Sequence, residues 1–243
     1  MLDDLKRSPH LLATSLAAAI LGLGLAAGGG LIGKGVENAR VGDRRVTVRG
    51  LSERIVKADL AVLALKFVAA GDDLAAVQAD VDADLVTVRQ FLTRQGFAAA
   101  EVELGQLSVT DRYAQEYQSG DVRARYRVAQ TVIVRTPNVD RVQAASRTLD
   151  QLVRGGVTLQ DYNGPSFLFT KLNDVRPKMI AEATASARSG AAQFATDSGA
   201  RLGGIASATQ GSFEILGRDA VGDEATQVFK KVRVVTTVAY RLQ

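Results

Sequence analysis

In this 243-residue chain the nearest approach to a nucleophile with its base is Ser166 with Lys171. A serine–lysine hydrolase also needs an oxyanion hole and a strand–turn–helix elbow, and the sequence marks neither around these two residues. Asp80, Asp82 and Asp84 invite comparison with a cation site, but residues two apart on a helix point to different sides and no glycine-turned loop surrounds them. They are read as a solvated helix face. The glycines of AAGGGLIGKG, residues 26–35, lack both the preceding strand and the GK[ST] ending of a phosphate loop. Cysteine is absent and the only histidine is His10. Disulfides, thiolate nucleophiles and Cys-ligated metals are thereby excluded, as are His-based triads in the folded domain, since His10 stands at the mouth of the apolar N-terminal run. No catalytic, cofactor-binding or metal-ligating residue is assigned, and the chain is expected to be neither an enzyme nor a cofactor protein.

The most distinctive polar stretch is DRYAQEYQSGDVRARYRV, residues 111–128, in which Arg112, Arg123, Arg125 and Arg127 interleave with Tyr113, Tyr117 and Tyr126. Arginine and tyrosine together stack bases, but they are also the residues enriched at protein–protein contacts. With 30 basic against 26 acidic residues the net charge is only +4, too small and too dispersed for a phosphate-neutralising surface. Nucleic acid is therefore not expected as a partner. Arg112, Tyr113, Tyr117, Arg123, Arg125 and Tyr126 are read as a subunit contact or an exposed hairpin, where alternating arginines also guard a strand edge.

Around these residues the chain divides at about residue 40. Leu11 to Gly33 is a run of 23 residues without a charge, flanked by Lys6, Arg7 and Lys34. As a helix it would span ~34 Å, enough for a hydrocarbon core. A retained single-pass signal-anchor helix and linker over residues 1–40, exporting the rest of the chain, is favoured because apolar character continues through Leu31 and Ile32, while Lys34, Arg40, Arg44 and Arg45 beyond it leave the orientation open. The competing reading is a cleaved secretory signal with Gly24-Leu25-Ala26 as its small-x-small site, leaving a soluble periplasmic protein. Small residues recur four apart at Ala18, Gly22, Ala26 and Gly30, with Gly24 and Gly28 beside them. That spacing suits close helix packing in lipid, although glycine and alanine are also common in signal sequences.

Residues 41–243 carry the patterns of a water-soluble α+β domain. Val46 and Val48, then Ala61, Leu63, Leu65 and Phe67, alternate as two strands with Gly50 as a bulge or bend. Asp72 and Asp73 cap a helix whose Leu74, Val77, Val81, Leu85, Val88 and Phe91 form one stripe before Gly96. Strands are expected over 102–113 and 123–136. A helix follows Pro137-Asn138, with Val139, Val142, Leu149, Leu152 and Val153 inward. A strand over 157–172 precedes a long helix from Asn173 to Ser198, with a stripe of Met179, Ala183, Ala187, Ala191 and Phe194. Strands over 202–216 and 226–242 close the chain. Helix, glycine, strand, turn, strand occurs twice, and Gly96 precedes Tyr126 by the same 30 residues that separate Gly199 from Phe229. This weak repeat predicts an antiparallel sheet with helices packed on one face.

Four segments resemble the SIMPL-domain family. VTVRGLSERIVKADLAVLAL (46–65) is similar to its opening strand pair, with Ala58 where the family usually has proline before Asp59. RYRVAQTVIVRTPNVDRVQ (125–143) resembles its middle strand and following helix, RPKMIAEATASARSGAAQFATDSGARLG (176–203) its long helix, and FKKVRVVTTVAYRL (229–242) its last strand. The resemblance implies an extracytoplasmic bacterial protein of the periplasmic immunogenic or oxidative-stress-defence type, for which no catalytic residues are established. It also implies a large ring-like or channel-like homo-oligomer. The expectation is a self-assembling envelope protein linked to stress tolerance, its partners being its own copies and the bilayer. The alternative is a membrane-surface module that binds a lipid or other apolar ligand.

Overall fold

A computed structural model describes residues 18–33, 44–114, 124–219 and 221–243. The described part of the N-terminal run, residues 18–33, is helical (α1). It is followed by β1 (Arg45–Lys57), β2 (Leu60–Gly71), α2 (Leu74–Arg94), β3 (Val102–Asp111), β4 (Tyr126–Thr136), α3 (Val139–Ser146) and α4 (Asp150–Arg154). Then come β5 (Leu159–Gln160), β6 (Ser166–Leu168), α5 (Leu172–Asp197), β7 (Leu202–Gly217) and β8 (Phe229–Leu242).

The fold is α+β, but the strands form two sheets instead of one. The first has the order β3-β4-β2-β5, with β6 also on β2, and the second the order β1-β8-β7. Pairings in the first are antiparallel, with Leu65 opposite Val132 and Val109 opposite Val128. In the second, reciprocal bonds between Arg201 and Gln243 mark antiparallel β7 and β8. Alternation marks each strand but not its partner across such sequence distances, so the sequence does not carry the division into two sheets.

The chain divides into two compact units, one of residues 1–50, 183–211 and 236–243, the other of residues 51–182 and 212–235. In the second unit α2 packs on β2 and β4, and α3 on β2. Asp73 starts α2: its carboxylate accepts the N–H groups of Ala75 and Ala76 at 2.8 and 3.1 Å. Such a cap is worth ~1 kcal/mol. The helix ends before Gly96, whose φ of +82° only glycine adopts without strain. Its face of Val77, Val81, Val88, Phe91 and Leu92 closes over Leu63, Leu65, Phe67, Val128, Val132 and Val134. Leu74 at the helix start is exposed, contrary to the expected stripe.

In the first unit Ala187 and Ala191 of α5 are buried with Val46, Val238 and Tyr240. Gly50, expected at a bulge or bend, is a point of close backbone approach. It lies mid-strand in β1, where a β-carbon would sit 1.8 Å from the carbonyl oxygen of Ala183 and 2.5 Å from the nitrogen of Ala187. Alanines on α5 and glycine on β1 let helix and strand backbones meet at a distance no side chain permits.

Three further expectations are corrected. Along α5 the buried series runs Met179, Ala183, Ala187, Ala191 and Ala195, so the strict four-residue step continues and Phe194 is left 52% exposed. Val153, expected inward, is 59% exposed, because the helix breaks at 147–149 and the five-residue α4 restarts in a different phase. The strand expected over 157–172 shrinks to β5 and β6, interrupted by Asp161 and Gly164 at φ +50° and +88°.

Candidate functional site

The residue types that suggested chemistry do not converge. No hydrogen bond joins Ser166, at the head of β6, to Lys171 among the described residues. Lys171 instead borders a polar cleft of about 500 Å³ with Lys57, Asp59, Asn138 and Asp140. Two of the four charges there pair with each other, and a third is hydrogen-bonded. Lys57 Nζ donates to both carboxylate oxygens of Asp140 at 2.8 and 2.6 Å, and Asp59 accepts the N–H and hydroxyl of Thr170 at 2.6 and 2.8 Å.

Asp80 and Asp82 are exposed on α2, but Asp84 is half-buried. Asp84 shares a depression of about 520 Å³ with Asp80, Arg127 and Thr158. Burial, and then the neighbouring Asp80 carboxylate, hold the Asp84 carboxyl above its ordinary value. Among the described residues no group of three Asp, Glu, His or Cys side chains comes close enough to hold a metal ion.

The Arg/Tyr stretch straddles the end of the β3–β4 pair. Tyr117 and Arg123 lie outside the described residues, whereas Arg112, Tyr113, Arg125 and Tyr126 lie within them. Arg125 organises this end. Its guanidinium donates through Nε and Nη2 to Asp111 at 3.2 and 2.9 Å, and sits 4.8 Å from the Tyr126 ring centroid and 5.8 Å from that of Tyr113. Its backbone N–H donates to Asp72 at 3.0 Å, while its carbonyl accepts from Arg112 N–H at 2.8 Å. The hydrogen bonds and charge of Arg125 lower the Asp111 carboxyl. The guanidinium, held by a carboxylate and two rings, fixes its own strand end while its side chain stays 44% exposed.

The small residues of α1 are differently placed. At Gly22, Gly24, Gly28 and Gly30 an added β-carbon would meet nothing within 4 Å. Ala18 and Ala26 are exposed, as are the large side chains Ile20, Leu21, Leu23, Leu25, Leu31 and Ile32, between 64% and 73% open. No part of the described chain covers this helix. Among the described residues no helix is long and apolar enough to cross a membrane.

Sequence reasoning missed two features. Leu104, Leu107 and Val109 of β3, with Val86 of α2, are exposed apolar side chains in the second unit. Lys230, whose FKK context signals nothing, is wholly buried, its Nζ 2.7 Å from Glu224 Oε1 and also donating to the Glu224 carbonyl.

Residues 46–240 match the model of the SIMPL family, described as a protein of unknown function (DUF541), and the chain belongs to that family. A comparison with curated proteins finds none that matches it.

Proposed function

We propose that this SIMPL-family chain is a structural protein of the bacterial envelope, held at the membrane by its N-terminal helix and assembled from many of its own copies. One observation carries the reading most of the way: α1 exposes six large apolar side chains and four open glycine positions, with no described residue packed on them. Water is a poor solvent for such a surface, at about 25 cal/mol per Å². Lipid or neighbouring copies of the same helix would cover it, and the small residues four apart suit close approach between helices. The uncharged run Leu11–Gly33, of which residues 18–33 form α1, gives the length for an anchor. A role in envelope or oxidative-stress tolerance follows from the family resemblance alone.

Among the described residues Arg125, Lys57, Asp59 and Lys230 each have a hydrogen-bonding partner within the chain. The test is membrane partition. The full chain stays with the membrane after an alkaline carbonate wash, and a chain lacking residues 1–33 is released; release of the full chain by the wash contradicts the anchor.

A further inference from the structure

Strand edges in the two sheets differ in how they meet a foreign chain. An edge strand offers unpaired N–H and C=O groups, and proteins blunt such edges with charge, bulges or brevity. β1 places Arg45, Arg49, Glu53, Arg54 and Lys57 along its 13 residues. β3 has a register break between Leu104 and Leu107, and Glu103 and Asp111 near its two ends. An antiparallel copy centred on β3 would set carboxylate against carboxylate. β5 and β6 are two and three residues long.

β7 has none of these devices along most of its length. It runs for 16 residues and, among the described residues, has β8 on one side only; from Leu202 to Phe213 it has neither charge nor proline. Within Leu202–Gly211, Gly204, Ile205 and residues 207–211 are exposed, Ile205 by 55%. In an edge strand every second residue turns its N–H and C=O outward, so this segment is an open template for one more strand.

We infer that the occupant of this edge is the same segment of a second copy, paired antiparallel about a two-fold axis at Ser207. This rests on the self-assembly reading above and adds one of its surfaces, the one that joins copies in pairs. The segment is compatible with itself: the axis sets Ile205 opposite Thr209, Ala206 opposite Ala208, and Gly203 opposite Gly211. No like charges face one another, and a β-branched pair stands on each side of the axis. A different protein would find neither charge nor pocket to read on these small side chains, whereas an isologous contact needs only the identical strand. The result is a single sheet of six strands, β1-β8-β7 continued by the partner copy's β7-β8-β1.

The lack of any native cysteine makes the test direct. In membranes holding the full chain, Ser207→Cys forms a disulfide-linked dimer nearly completely under mild oxidation, while Ser108→Cys on β3 does not. Ser207→Lys, which brings two ammonium groups face to face, lowers the copy number of the extracted particle at least twofold while its circular dichroism spectrum and melting temperature stay those of the parent. A multi-copy particle in which Ser207→Cys remains unlinked, or in which Ser108→Cys links equally well, overturns this surface and leaves self-assembly standing. A monomeric parent protein overturns both.

Discussion

Gly50 and Ala183 are in contact through their backbones: a β-carbon on Gly50 would stand 1.8 Å from the carbonyl oxygen of Ala183. The obstacle is the α5 main chain, which cannot rotate aside as a side chain does. Gly50→Ala therefore pushes β1 away from the buried Ala187 and Ala191, at a cost of at least ~1–3 kcal/mol. Thermal unfolding monitored by circular dichroism should show the loss, and an unchanged melting temperature would contradict the close approach.

Within the second unit, Glu182 of α5 ties to β1. Its carboxylate accepts Arg54 Nη2 at 2.7 Å and the Ser52 hydroxyl at 2.9 Å, and these bonds hold its carboxyl below its ordinary value of 4.5. A carboxyl lower in the folded than in the unfolded chain stabilises fully above the unfolded value and loses that contribution as the pH falls through the folded value. Stability should thus decline as the pH drops below about 4.5, and Glu182→Gln should flatten that part of the profile. Urea midpoints measured from pH 7 to pH 3 check it, and parallel profiles for parent and variant would contradict it.

Lys230 and Glu224 should respond asymmetrically to mutation. The lysine is fully buried while the glutamate side chain is 45% exposed, so removing the glutamate leaves a buried ammonium with only a carbonyl for company. Glu224→Ala should cost ~1–3 kcal/mol. Lys230→Met, which keeps the volume and removes the charge, should be close to neutral. Chemical denaturation of the two variants gives the ordering, and a larger loss in Lys230→Met would reverse the argument.

Two phenylalanines separate core from surface. Phe91 is fully buried under α2, and truncation to alanine should cost ~3–5 kcal/mol. Phe194→Ala on α5 should change stability by no more than ~0.5 kcal/mol. Comparable losses for both would place Phe194 in a core that the structure does not give it.

Phe194 also shows where the sequence ceased to be legible. α2 could be read because its apolar stripe is strong, its cap is an aspartate and its stop is a glycine at positive φ. α5 is legible as a helix, but its buried face is made largely of alanines, whose burial is set by helical phase and not by hydrophobicity, so hydrophobicity points to the larger Phe194 where phase buries Ala195. Gly50 signalled an exception without saying which, because a bulge and a close backbone approach both demand glycine. The arginine and tyrosine positions were visible in the sequence; that Arg125 is engaged by Asp111, Tyr113 and Tyr126 depends on strand register, which composition does not carry. Likewise the uncharged run in β7 was in plain view, but it acquires meaning only once β7 is placed at a sheet edge.

The central claim is that many copies of this chain form one membrane-held particle. Mass measurement of the full-length protein, extracted from its membranes in a mild detergent and kept near its native concentration, tests it most directly. A particle many times the 25.7 kDa of one chain, with a narrow distribution of copy number, is the predicted result. A strict monomer would contradict it.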